Sequence, residues 1–347
     1  MFFLPTTPQE LQQLGWDRLD IILVSGDAYI DSPFIGIAVI GRVLEAAGFR
    51  VGIIAQPDLQ GGDDIRRLGE PRLFWGISGG CVDSMVANHT ASGKRRKQDD
   101  YTPGGLNNRR PDRAVLAYAN LIRAHFKKTC PLVLGGIEAS LRRIAHYDCW
   151  SNAVRRSILF DAKADYLLYG MAERSAVELA SCLRDGRDPH CIRGLCYISK
   201  ERPADYLELP AYSEVAGAEQ ARKRAFTRMF RLFYENNDAL TAQGLAQLHN
   251  DRWLIQNPPQ PPLTQEELDR VHSLPYQLDL HPSHKQQGQV RALETIRFAL
   301  TTHRGCYGEC NFCAIAVHQG RTVTCRSRQS IVAEARRLTK HPAFKGR

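Results

Sequence analysis

No stretch of these 347 residues approaches the roughly 18 consecutive apolar positions that a membrane-crossing helix needs. The opening Met1-Phe-Phe-Leu-Pro-Thr-Thr also lacks the basic start and long apolar run of a secretory signal. A cytoplasmic protein with no membrane partner is therefore expected. Cysteine is sparse as well: ten residues in the whole chain, too few for a disulfide scaffold. Six of them, Cys81, Cys130, Cys149, Cys182, Cys191 and Cys196, share no spacing and read as reduced thiols of a reducing compartment. What is present is ordinary for a globular protein, with 43% hydrophobic and 24% charged residues and enough length for two domains.

Short apolar runs alternate with amphipathic ones. Asp20-Ile-Ile-Leu-Val-Ser25, Val51-Gly-Ile-Ile-Ala55, Arg72-Leu-Phe-Trp-Gly-Ile-Ser78, Pro131-Leu-Val-Leu-Gly135 and Asp165-Tyr-Leu-Leu-Tyr169 have the continuous hydrophobicity of buried parallel strands. Between them, residues 36–48, 113–128 and 173–184 carry helical spacing; Ile37, Ile40, Leu44 and Ala47 share one face of the first, and Gly48 stops it. This alternation predicts an α/β fold, a doubly wound parallel sheet with helices on both faces. Such sheets bind ligands beyond the carboxyl ends of their strands, at the switch in strand order. The segments there are Gly26 to Pro33, Gly79-Gly80-Cys81-Val-Asp83, Gly135-Gly136-Ile-Glu138 and Gly170-Met-Ala-Glu173. Turn chemistry alone also places Gly and Asp at such points.

The run Arg304-Gly-Cys306-Tyr-Gly-Glu-Cys310-Asn-Phe-Cys313 spaces three cysteines C-x3-C-x2-C, in a loop composition rather than an apolar core. Three thiolates from one loop suit a cubane iron–sulfur cluster and leave its fourth iron free of protein. A strand-like run, Thr295-Ile-Arg-Phe-Ala-Leu-Thr-Thr302, leads in. A structural zinc site is the competing reading, because Cys325 lies downstream and His303 and His318 flank the loop. The loop resembles that of the radical SAM superfamily. The resemblance implies that Cys306, Cys310 and Cys313 ligate a 4Fe-4S cluster, whose open iron chelates S-adenosylmethionine for reductive cleavage to a 5'-deoxyadenosyl radical. It also implies that Phe312 packs near the adenine and that a flavodoxin- or ferredoxin-type electron donor is a partner.

Longer motifs run through the N-terminal part. Ser84-Met-Val-Ala-Asn-His-Thr-Ala, Tyr101-Thr-Pro-Gly-Gly105, Gly135-Gly-Ile-Glu-Ala-Ser-Leu-Arg-Arg-Ile-Ala-His-Tyr-Asp148, Trp150-Ser, Val154-Arg-Arg-Ser-Ile-Leu159 and Ala164-Asp-Tyr-Leu-Leu-Tyr-Gly170 resemble the YgiQ family of radical SAM proteins over nearly the whole chain. That family implies a radical SAM N-terminal domain followed by the start of a radical SAM (β/α) barrel, and supplies no substrate; the first strand, its loop and the following helix separately resemble the cobalamin-binding, flavodoxin-like domain that precedes such barrels in many enzymes. Cobalamin itself is disfavoured, since domains with a lower axial histidine carry Asp-x-His-x-x-Gly after the first strand, whereas Asp27-Ala-Tyr-Ile-Asp31 stands here. Relatives that bind cobalamin without that ligand keep it open.

The formal charge of +9 draws in part on Lys94-Arg-Arg-Lys97 and Arg109-Arg110, in a loop over residues 88–112 rich in Gly, Asn, Asp and Pro. A solvated charge cluster is the plain reading, and phosphates of RNA or of a metabolite are the alternative. Tyr101 is the loop's only aromatic, so a base-stacking surface is weakly signalled. Asn257-Pro-Pro-Gln-Pro-Pro262 marks a seam, and Thr264-Gln-Glu-Glu267 starts a helix with a capping box. A continuous helical pattern over residues 219–250 closes the first domain. The expected domains are residues 1–255, an α/β domain; 256–290, a Pro-rich linker in which His281 and His284 read as plain loop; and 291–347, the beginning of the radical SAM core. Only 34 residues follow Cys313, against about 250 for a full barrel. A truncated or split product is therefore expected, with the missing C-terminal part as a partner, and a non-catalytic binding module is the alternative to a radical SAM enzyme.

Overall fold

The computed structural model describes residues 2–310 and 312–346. The first strand, β1 (Ile21–Ser25), is buried at every position, as an interior strand covered on both faces must be. Helix α1 (Gly36–Ala46) leads to β2 (Val51–Ala55), and β3 (Phe74–Ser78) follows. Helix α2 (Ala114–His125), β4 (Leu132–Gly135), α3 (Gly136–Leu141), β5 (Tyr166–Leu168) and α4 (Glu173–Arg184) complete the wound half. Strand β1 pairs in parallel with both β2 and β3, β3 with β4, and β4 with β5. The chain thus leaves β1 toward β2 and returns across it to β3, so the switch in strand order lies between β1 and β3. The expected doubly wound parallel sheet is present in these five strands.

The sheet then continues differently. β6 (Leu195–Ser199) runs antiparallel to β5, and β7 (Leu207–Leu209), helix α5 (Gln220–Glu235), β8 (Leu245–His249) and β9 (Arg252–Gln256) extend it to nine strands in the order β7-β8-β9-β6-β5-β4-β3-β1-β2. The helix expected over residues 219–250 therefore ends at Glu235. Its second half forms β8 and the turn at Asn250, which adopts a left-handed φ of 58° and reverses the chain into β9. Met229 and Phe233 carry the buried stripe of α5, whereas Phe230 is exposed.

Residues 257–262 lie along the domain, with Arg193 donating to the carbonyl of Pro259 and Arg174 to those of Pro261 and Pro262. Helix α6 (Gln265–Ser273) begins at the expected capping box: Thr264 Oγ1 accepts from the Glu267 N–H at 3.3 Å and Glu267 accepts from the Thr264 N–H at 2.8 Å. The segment read as plain loop carries more structure. Asp279–Leu280 pairs antiparallel with Ile30–Asp31, and both His281 and His284 are buried. His281 stacks on Tyr29 and holds Glu10 at 2.9 Å, which is no metal arrangement.

Burial has a consequence for acid stability. Desolvation lowers the imidazole pKa of His249 to about 4, of His284 to about 4 and of His272 to about 3, with Arg156, His281 and Arg326 respectively adding repulsion. In the unfolded chain these rings protonate near pH 6.5, so between about pH 6.5 and 4 the unfolded state binds more protons. Their contribution is complete above pH 6.5 and is lost as pH falls through that window. Thermal melts should therefore show Tm declining from pH 7 to pH 4, and His249→Phe, which keeps a ring between Phe160 and Tyr212, should flatten part of that decline. An unchanged slope in the variant would refute the assignment.

Candidate functional site

The four segments that follow β1, β3, β4 and β5 meet around one crevice of about 420 Å³ at the carboxyl edge of the sheet. Leu23, Phe74, Val133 and Leu168 give it an apolar floor, Ile37 and Ile40 of α1 form one side, and Ala172, Glu173 and Ala176 at the start of α4 form another. Gly76 widens the floor, where a side chain would meet Leu23. The remaining wall comes from the far end of the chain: Thr301, His303 and Arg304 just before the cysteines, and Ile315, His318 and Gln319 just after them.

The polar base of the crevice is a buried charge network. Arg110, with a fully buried side chain, holds Asp27 Oδ1 at 2.6 Å and Asp99 Oδ2 at 3.1 Å, and donates to the Gly79 carbonyl at 2.8 Å. The Cys81 N–H donates to Asp27 Oδ2 at 2.6 Å. This geometry demands glycine at position 80, where φ is +112° and a Cβ would lie 2.3 Å from Asp27 Oδ1. Burial pushes the Cys81 thiol upward, with the Asp27 charge adding to the shift, so Cys81 is held as a neutral thiol. Arg110 thus corrects part of the phosphate reading of the basic loop: it neutralises two carboxylates inside the protein. Arg96 is also engaged, donating to the carbonyls of Val86 and His89. The loop itself is folded back by bridges between His89 and Arg95 and between Gln98 and Leu106.

The cysteines sit on a small clip. Residues 295–302 form no strand; instead helix Ala292–Ile296 precedes β10 (His303–Arg304), which pairs antiparallel with β11 (Thr324–Cys325). The short helix α7 (Ile315–Gln319) lies between them, and α8 (Arg328–Thr339) follows. The Cys306 N–H donates to the Gly320 carbonyl at 3.1 Å and the Gly305 N–H to Gln319 Oε1 at 3.3 Å, closing the loop at its base. Gly305 has φ +91°, and a Cβ there would lie 2.1 Å from the Thr322 carbonyl oxygen, so only glycine fits. At the tip, Glu309 pairs with Arg321 and accepts from the Tyr234 hydroxyl at 3.3 Å, while the Arg321 guanidinium lies 4.4 Å over the Tyr234 ring. Helix α5 therefore braces the loop.

Within the loop, Cys306 and Cys310 turn toward the same glycine. A Cβ built on Gly308 would stand 3.4 Å from Cys306 Sγ and 3.8 Å from Cys310 Sγ, and the Gly308 N–H donates to Cys306 Sγ at 3.4 Å. The Cys313 N–H donates to the Cys310 carbonyl at 2.9 Å, which keeps the third cysteine on the same turn. Cys306 and Cys313 are half-buried, Cys310 is exposed, and Phe312 is 92% exposed, so its ring has no partner among the described residues. No three His, Cys, Asp or Glu side chains among the described residues already converge on a common point. Of the alternative zinc donors, His318 turns inward to Ser140 Oγ at 3.2 Å, its pKa lowered to about 4 by burial and by Arg143, whereas His303 and Cys325 stand opposite one another on the β10–β11 ladder, both exposed.

One ion pair joins the clip to the crevice. Arg304 Nη1 pairs with Glu173 Oε1, with side chains 12% and 4% exposed. Glu173 is one of the acids expected beyond the strand ends, whereas nothing in local sequence signals its contact with Arg304 across 131 positions.

Replacing Arg110 by Met should strand Asp27 and Asp99 as unpaired buried carboxylates and destabilise the protein by about 3–5 kcal/mol. Urea unfolding reads this loss, and a loss below about 1 kcal/mol would show that the network is solvated.

The radical SAM N-terminal family model matches residues 3–299. The chain is 56% identical over its whole length to the UPF0313 protein of Fusobacterium nucleatum and 51% identical over 99% of its length to the UPF0313 protein of Thermotoga maritima. It spans 60% of the length of each of these curated relatives. Among solved structures it is similar to the radical S-adenosylmethionine methyltransferase TsrM of Kitasatospora setae, in a form with tryptophan substrate and a SAM analogue and in a form with cobalamin and a [4Fe-4S] cluster. That likeness covers 92% of this chain and 45% and 46% of those chains, at TM-score 0.46 and 18% and 16% identity, too distant to inform the chemistry here. Its family-model match and its full-length relatives place this chain in the radical SAM N-terminal family, among the UPF0313 proteins.

Proposed function

We propose that Cys306, Cys310 and Cys313 hold a 4Fe-4S cluster and that the chain takes part in radical S-adenosylmethionine chemistry on a substrate that is not yet identified. The observation that carries this reading is the cradle at Gly308: two thiols already face one side-chain-free position, the third follows on the same turn, and His318, one candidate fourth donor, is turned inward to Ser140. A donor set of three thiolates is what a cubane with one open iron requires. When bound, the cluster would supply one electron, drawn from an external flavodoxin- or ferredoxin-type donor, to the sulfonium of S-adenosylmethionine.

The protein's own residues have separate tasks. Gly305 and the β10–β11 ladder fix the base of the loop, and Tyr234 and Arg321 orient its tip through Glu309. The bare ring of Phe312 offers an apolar face to the adenine. Arg304, paired to Glu173, sets the loop against the mouth of the crevice and shields that mouth from water. Among the described residues no helix is long and apolar enough to cross a membrane, and a cytoplasmic location is proposed on the reduced-thiol composition. The activity of the longer relatives would be completed by sequence that this chain does not span.

Anaerobic reconstitution tests the proposal. The wild-type chain should take up about four iron and four sulfide, Cys310→Ala should lose stable cluster, and Cys325→Ala should retain it. Equal loss in Cys310→Ala and Cys325→Ala, or stoichiometric zinc without sulfide, would overturn the cluster.

A further inference from the structure

We propose that the crevice is a binding site for a second small molecule, an amphiphile with an apolar body and a protonated amine, distinct from the sulfonium cofactor. Its floor of Leu23, Phe74, Val133 and Leu168 offers nothing to a polar body, and its volume of about 420 Å³ is of the size that binds small organic ligands. The amine follows from the charges on the wall. Asp27 is charge-paired: Arg110 stands 2.6 Å from its Oδ1, and its Oδ2 accepts from the Cys81 N–H. Arg304 is charge-paired with Glu173 Oε1. The carboxylate of Glu173 is not fully satisfied: its Oε2 is buried and has no hydrogen-bond partner, in a residue only 3% exposed.

A buried carboxylate oxygen without a donor is costly, and an ammonium satisfies it most strongly. An anion would meet the Glu173 and Asp27 carboxylates on the wall, and the guanidinium of Arg304, which lines the crevice, is already ion-paired. The position also has a use. The mouth of the crevice is formed by the residues flanking the cysteine loop, so a ligand seated on the sheet faces that loop without passing through solvent. The site needs no iron, so its failure and the failure of the cluster are read separately.

The probe is dansylcadaverine, an environment-sensitive apolar ring system with a terminal ammonium, titrated into the full 347-residue chain. A saturable, blue-shifted rise in fluorescence is expected. Glu173→Gln should weaken binding about tenfold or more, while N-pentyl dansylamide, which lacks the amine, should bind both forms alike. Ile37→Trp, on the half-buried side of α1, should block both probes while leaving the circular dichroism melt intact. Absence of saturable binding to folded wild-type protein, equal affinity in Glu173→Gln, unaltered binding in Ile37→Trp, or stoichiometric displacement of the probe by adenosine would each overturn a separate amine site.

Discussion

A carboxylate and a guanidinium removed from water beside one another tie the two ends of this fold together. Glu173 opens α4 at the carboxyl edge of the sheet, and Arg304 stands two residues before the first cysteine of the loop. Breaking such a buried pair leaves one charge uncompensated and costs on the order of 3–5 kcal/mol, so the pair holds the loop in one place more firmly than surface contacts would. It joins the carboxyl edge of the wound sheet to a cysteine clip that has little core of its own. The clip's ladder is two residues long on each side, and its apolar burial is thin. Its position therefore depends on what it touches: Glu173 at the base and Tyr234 of α5 at the tip.

The buried charges at the other side of the crevice follow the same logic. Arg110 arrives from a basic segment whose composition suggests solvated charge, yet it neutralises Asp27 and Asp99 at the base of the cavity. Composition reports how many charges a segment carries; it does not report which of them a fold will need internally. Lys94 and Lys97, exposed and outside the ion pairs described, remain the part of that segment suited to an anionic partner. Arg110, together with the side chains of Asn88 and Asn107 that bond the segment to itself, explains how this long loop stays ordered without a core of its own.

The parallel half of the sheet was legible because its strands are buried on both faces, and continuous apolar runs such as Ile21–Ser25 have few other uses. The four post-strand segments were legible for the same reason, since strand ends in a wound sheet fix where loops gather. The antiparallel extension was not. Leu245–His249 and Arg252–Gln256 form a hairpin whose first strand merges locally with the helical pattern of α5, and only pairing with Leu207–Leu209 on one side and Leu195–Ser199 on the other makes them strands of the sheet. Residues 295–302 show the converse error: a strand-like composition that finds no neighbour to pair with and stays short helix and turn. His281 and His284, polar in sequence, are buried because Asp279–Leu280 is drawn onto Ile30–Asp31. The three cysteines were legible from spacing, whereas the glycine cradle between them and the inward turn of His318 required coordinates.

The central claim is that three thiols hold iron and leave one iron open to a small molecule. Mössbauer spectroscopy of the chain reconstituted with ⁵⁷Fe, before and after S-adenosylmethionine, tests it most directly. The account predicts that about a quarter of the iron changes its isomer shift on addition while the rest does not, as expected of one site without a protein ligand in a cubane. Four equivalent irons indifferent to S-adenosylmethionine would contradict it.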